Sequence, residues 1–143
     1  MRSKVTTAAR VLLGLMFFGF GLNGLIHFFP LPPAEGAAAV FINGLSASRY
    51  FFPLLFIAYL LTGTALLIGR FVPLALTALA PVVINIVVMH LFLPASGLEL
   101  CLAALVTVLE ILLVWCYRAA FRPLLRARAE FAFLETRSTG RAS

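Results

Sequence analysis

The chain consists mainly of long apolar runs separated by short segments that contain arginine, proline or glycine. Four runs lie at about residues 10–29, 51–69, 71–93 and 98–118. Each is long enough to cross the hydrocarbon core of a bilayer as a helix, which takes about 20 mostly apolar residues. The connections near Arg70 and Pro94 are very short, so the helices they join must be antiparallel. The pattern therefore predicts an all-α protein, a four-transmembrane-helix up-down bundle.

The first connection, residues 31–50, is longer than the other two. Pro32 and Pro33 are followed by Glu35 and a run of alanines, an order typical of a helix start with an acidic residue near its positive end. We expect a short interfacial helix from about residue 33 to residue 45, lying across the outer mouth of the bundle.

The composition supports lipid as the medium around these helices. Of the 143 residues, 63% are hydrophobic and 11% are charged, whereas a soluble domain has about 25% charged residues. A chain this short cannot bury so much apolar surface within one water-soluble core. We therefore expect one membrane domain over residues 1–126, followed by a basic cytoplasmic tail over residues 127–143.

The basic residues predict the orientation of the bundle. The chain has 11 Lys and Arg residues, and all but Arg49 fall on one side of the predicted membrane. Since basic residues favour the cytoplasmic side, we expect both termini to be cytoplasmic. A net charge of +6 also raises the question of nucleic acid. Because the basic residues flank the apolar runs, we expect the lipid bilayer as the partner and no nucleic acid.

Polar side chains within the apolar runs are the candidates for function, because each is costly in hydrocarbon. The candidates for ligand binding are Asn23, His27, Tyr59, Asn85, His90 and Glu110. All of these except the two histidines are predicted to form one polar layer at similar depth. Gly19 shares a stripe of the first helix with Asn23 and His27, and a glycine there would permit close approach of a second helix.

Each candidate also has a structural alternative. Asn23 and Asn85 can form hydrogen bonds between helices, and the histidines can bond groups at the outer interface. Glu110, one turn after Thr107, is either a proton-carrying or ligand-binding carboxyl or the partner of a polar side chain across the bundle. Two histidines without a nearby cysteine or carboxylate predict no metal site. No motif pairs a nucleophile with a base, so we assign no catalytic residue.

Two segments share an order of polar residues. The first has Arg10, Asn23, His27 and Pro30, and the second has Arg70, Asn85, His90 and Pro94. The likeness predicts two duplicated helical hairpins related by an axis along the membrane normal, which would place His27 opposite His90. Chance similarity between apolar sequences is the alternative.

Several short motifs, taken together, are characteristic of one family. They are FGLNG at residues 20–24 with HF at 27–28, GRFVPLA at 69–75, APVVIN at 80–85 with HLF at 90–92, and YR at 117–118 with FRPLL at 121–125. Over about residues 8–126 the chain resembles the DoxX family of small bacterial membrane proteins. The resemblance implies a four-helix bundle in the bacterial inner membrane. Members of the family include a subunit of a thiosulfate:quinone oxidoreductase, and others are linked to redox stress. Tyr59 stands where many relatives carry an acidic residue, so a role of that acid does not carry over.

These observations favour a non-catalytic membrane subunit or a small-ligand site in redox-linked metabolism. The ligand would be a quinone-like molecule in a pocket that opens outward under residues 31–50, and any oxidoreductase role would need a partner subunit. One alternative is a small-solute or proton carrier, which also uses polar groups at the membrane midplane. A purely structural membrane partner is the other. Assembly into a homo-oligomer is left open by the sequence.

Overall fold

Six helices make up the described part of the chain. The computed structural model describes residues 2–30, 33–93 and 96–121, without the side chain of Arg2. The helices are α1 (Arg2–Ile26), α2 (Gly36–Ala47), α3 (Phe51–Ile68), α4 (Val72–Phe92), α5 (Gly97–Cys116) and α6 (Arg118–Phe121). No strand occurs within these ranges, which confirms the predicted all-α class. The predicted tail, residues 127–143, lies outside the described residues.

Four of the helices, α1, α3, α4 and α5, are long and apolar enough to cross a membrane. Their outward faces carry large apolar side chains such as Leu61, Ile84 and Ile111, and so large an exposed apolar surface is typical of contact with lipid. The chain is therefore a multi-pass integral membrane protein, as predicted. α1 begins at Arg2 rather than near residue 10, because the polar residues ahead of the apolar run continue the helix.

The helix in the first long connection is present as α2. It begins at Gly36, because Glu35 is extended with ψ of 162° and takes the N-cap position. α2 has no buried residue and contacts α3. Its exposed apolar side chains, such as Val40 and Phe41, suit a position at the membrane surface, which stays a prediction.

The four long helices form a closed ring. α1 packs against α3 and α5, and α4 also packs against α3 and α5. Each helix is antiparallel to both of its neighbours, which confirms the predicted up-down bundle. The centre of the ring is one leucine-rich core to which all four helices contribute. Its fully buried side chains are those of Leu13, Leu66, Leu76, Leu79 and Leu113.

The two ends of the bundle differ in charge. One end carries the basic residues Lys4, Arg10, Arg70 and Arg118. We call it the arginine-rich end, and we call the opposite end, which carries α2, the α2 end. At the arginine-rich end, Arg10 donates to the carbonyl of Leu66 at 2.8 Å. A positive charge is favourable there because the carbonyls at the end of α3 carry partial negative charge.

Glycines bring α1 and α3 close together. We call this contact the α1–α3 seam, and its glycines are Gly14, Gly21 and Gly63. A Cβ atom added to Gly63 would lie 2.6 Å from the backbone nitrogen of Phe18, and one added to Gly21 would lie 2.8 Å from the carbonyl oxygen of Phe56. The two backbones therefore leave no space for a side chain at these positions. The expectation for Gly19 is wrong, because nothing lies within 4 Å of a Cβ added there.

Candidate functional site

Glu110 is buried in α5, with 5% of its surface exposed. Neither of its carboxyl oxygens has a hydrogen-bond partner among the described residues. Thr107, one turn earlier, donates its hydroxyl to the carbonyl of Ala103 at 2.7 Å. Among the described residues, the carboxyl is thus buried without the partner across the bundle that a purely structural role would supply.

A groove of about 510 Å³ lies between α4 and α5. It is lined by Ala80, Val83, Ile84, Val87, Val88, Thr107, Glu110, Ile111, Val114, Trp115 and Arg118. We call it the α4–α5 groove. Ile84, Val88 and Ile111 are exposed on the outside of the bundle, so the groove opens towards lipid. Its volume falls within the range of small-ligand sites, about 300–1,000 Å³.

Trp115 and Arg118 line the groove at the arginine-rich end. The Arg118 Cζ atom is 4.8 Å from the centre of the Trp115 ring, which is within range of a cation–π interaction. Arg118 also donates from Nη1 to the carbonyl of Trp115 at 3.4 Å. The sequence alone does not identify either residue as a site candidate. An arginine at the end of an apolar run indicates only the orientation of the helix.

Asn23 and His27 lie at the α2 end, where α1 stops. The Oδ1 atom of Asn23 accepts from the backbone N–H of Phe29 at 2.7 Å, and the Asn23 carbonyl accepts from the N–H of His27 at 2.8 Å. Asn23 therefore holds the chain as it leaves the helix. His27 is exposed and has a left-handed φ of 52°, so it is not packed between helices.

Tyr59 belongs to the α1–α3 seam. Its half-buried ring packs edge-on against Phe17, with ring centres 5.1 Å apart. The ring of Phe56 lies on another side, with centres 6.4 Å apart. Tyr59 does not line the α4–α5 groove, and its observed role is aromatic packing.

Asn85 and His90 both lie on α4 but have different surroundings. Asn85 is exposed. It follows the buried Val83 by two residues, about 200° around a helix, and so faces away from the core. No described residue forms a hydrogen bond with its amide. His90 is half-buried, and its Nδ1 atom lies 2.7 Å from the carbonyl oxygen of Ile86 in the same helix.

The predicted polar layer is not formed by the described residues. Asn23 lies three residues from the α2 end of α1, whereas Glu110 lies six residues from the arginine-rich end of α5, and Asn85 faces outward. The α4–α5 groove does not lie under residues 31–50, and Glu110 alone of the six candidates lines it, so the pocket predicted under that connection stays a prediction. Ligand binding by any of the six stays a prediction.

α1 pairs with α3, and α4 pairs with α5. Two duplicated helical hairpins would produce this arrangement. The corresponding side chains, however, do not have equivalent surroundings. Asn23 is buried while Asn85 is exposed, and His27 follows the end of α1 while His90 lies within α4. The helices end at different points of the shared motif, so the likeness in sequence does not extend to these side chains. The repeat itself stays a prediction.

Comparison with known proteins gave no match. No family model, no curated protein and no solved structure is significantly similar to the chain. The resemblance to the DoxX family therefore stays a prediction.

Proposed function

We propose that this chain is a non-catalytic membrane subunit that binds a quinone-like amphiphile in the α4–α5 groove. The observation that carries the proposal is Glu110, whose side chain borders the groove and whose carboxyl oxygens are buried without a partner among the described residues. A buried polar group without a hydrogen bond is unfavourable. A ligand in the groove that reaches these oxygens as neighbouring side chains move aside would supply the missing bond and be stabilised there.

The chemistry of the groove favours a ligand with one polar head and an apolar body. A protonated carboxyl donates one hydrogen bond, and a quinone carbonyl accepts one. Val83, Val87 and Val114 offer apolar walls along which a ring or a short hydrocarbon tail can lie. Because the groove opens towards lipid, such a ligand enters directly from the membrane, where quinones are dissolved.

The proposed redox role rests on the sequence rather than on the groove. It is supported by the resemblance of several short motifs to the DoxX family, whose members include a subunit of a thiosulfate:quinone oxidoreductase. Within this chain we assign no group that could transfer electrons, so an oxidoreductase role requires a partner subunit. The same resemblance supports a bacterial inner membrane, and the basic residues at one end of the bundle support cytoplasmic termini. Reporter fusions at the C-terminus test this orientation.

Fluorescence of Trp115 tests ligand binding directly, because it is the only tryptophan in the sequence and it lines the groove. A short-chain benzoquinone titrated into the protein in nanodiscs should quench it in a saturable way. We expect Glu110→Leu to weaken binding about tenfold, which corresponds to about 1.4 kcal/mol. Glu110→Gln keeps a donor and should lose less.

Two controls accompany this titration. Glu99→Gln changes an exposed acid at the start of α5, where glutamine can keep the capping box with Ser96, and it should bind as the wild type does. An alkane of similar size, which has no carbonyl, should not depend on Glu110. Equal quinone affinity in wild type and Glu110→Leu would refute the proposal, and proton or solute flux in liposomes that depends on Glu110 would favour a carrier.

A further inference from the structure

Asn85 lies on a surface that we call the outer face of α4. This face consists of the exposed residues Leu74, Ala78, Pro81, Asn85 and Phe92. Asn85 is seven residues before the end of α4 at Phe92, about 10 Å along the helix. Its side chain is too short to reach water from that depth, as a lysine or an arginine can. In a single copy of the chain, the amide therefore faces lipid, and no described residue bonds to it.

Pro81, one turn before Asn85, leaves a second polar group without its usual partner. Proline has no N–H, so the carbonyl of Thr77 lacks the hydrogen bond that a helix normally gives it. Thr77 is also exposed, and its hydroxyl donates to the carbonyl of Pro73 at 2.8 Å. The centre of this helix surface thus presents polar groups to hydrocarbon, where water cannot satisfy them.

A second copy of the chain is the partner that fits this face. In a dimer whose two-fold axis runs along the membrane normal, each residue on the axis meets its own equivalent at the same depth. A primary amide both donates and accepts hydrogen bonds, so two Asn85 side chains complement each other. Ala78 and Pro81 have short side chains, which lets two α4 backbones approach each other. The face carries no charge that would favour a charged partner.

We propose that the outer face of α4 is a homodimer interface centred on reciprocal hydrogen bonds between two Asn85 amides. The proposal does not depend on a ligand in the α4–α5 groove. Ile84 and Val88, which line the groove, lie beside this face on the same helix, so the second copy would sit next to the groove opening.

Energy transfer between donor-labelled and acceptor-labelled copies in liposomes measures this association at several protein-to-lipid ratios. We expect the wild type to dimerise and Asn85→Leu to weaken the dimer about three- to thirtyfold, the range for polar bonds between membrane helices. Asn85→Gln keeps the amide and should retain most of the affinity. Asn43→Leu makes the same change at an exposed position of α2 and should have no effect.

Asn85→Leu leaves the core untouched, and an unchanged helix content by circular dichroism checks its fold. A wild type that stays monomeric at every ratio would overturn the proposal. So would an Asn85→Leu variant that associates as tightly as the wild type. Cross-linking from Ala78→Cys in native membranes, with Cys101 and Cys116 replaced by alanine, is expected to join two copies. A cross-link from Ala78→Cys to a different protein, with none to a second copy, would also overturn the proposal.

Discussion

The α1–α3 seam and the α4–α5 groove are both contacts between antiparallel apolar helices, yet they pack in opposite ways. In the seam, Gly63 lies so close to α1 that an added Cβ would come 2.6 Å from the backbone nitrogen of Phe18. In the groove, branched side chains such as Val83 and Val87, together with Trp115, line a space of about 510 Å³. Small residues at a contact let two helix backbones approach closely, whereas larger side chains keep them apart.

This difference has a physical basis in the surrounding medium. Lipid is as apolar as the helices, so the hydrophobic effect does not draw them together and close packing must do so. Each pair of atoms in contact contributes little, but many pairs add up. The α1–α3 seam makes many such contacts and therefore stabilises the bundle. The α4–α5 groove makes fewer of them and leaves room for a ligand.

The largest effect is expected in the seam. Gly63→Ala adds a methyl group where the nearest backbone atom cannot move freely, so we expect the free energy of unfolding to fall by about 1–3 kcal/mol. Unfolding in mixed micelles with increasing dodecyl sulfate, followed by circular dichroism, measures this change.

Gly19→Ala is the matched control, because the methyl group it adds to α1 meets open space. We expect its unfolding free energy to stay within about 0.5 kcal/mol of the wild type. Equal losses for the two variants would mean that the seam does not depend on close backbone approach.

Enlarging a side chain in the groove should have a smaller effect on stability. Ala80 is half-buried and lines the groove, so the added atoms of Ala80→Leu enter existing space. We expect the unfolding free energy to change by less than about 1 kcal/mol, while quinone affinity from Trp115 quenching falls about tenfold. Ala104→Leu, at an exposed position of α5 outside the groove, should change neither quantity. Unchanged quinone affinity in Ala80→Leu would show that the ligand binds elsewhere.

The spanning helices and their pairing follow from local properties of the sequence. Run length, the basic residues at run ends and the short turns near Arg70 and Leu93 act within a few residues, so they can be interpreted without a structure. The burial of Glu110 can also be predicted from the sequence, because a carboxyl in the middle of an apolar run is costly in lipid.

The directions of side chains could not be predicted in the same way. Almost every position of α4 is apolar, so the sequence has no polar face that shows where Asn85 points. The glycines of α1 pose the same difficulty: Gly19 and Gly21 both stand between large apolar residues in the sequence, yet an added Cβ meets α3 at Gly21 and not at Gly19. The bond from Asn23 to Phe29 depends on where α1 ends, and sequence fixes helix ends only within a few residues.

The proposed ligand site depends on Glu110 having no hydrogen-bond partner in the bundle, as it has none among the described residues. The unfolding free energy of Glu110→Leu, measured without quinone against the wild type, tests it most directly. We expect the variant to be as stable as the wild type or up to about 1 kcal/mol more stable, because no internal hydrogen bond is lost and a buried polar group is removed. A loss of about 1 kcal/mol or more would show that the carboxyl already pairs with another group of the bundle, and the proposed ligand site would be wrong.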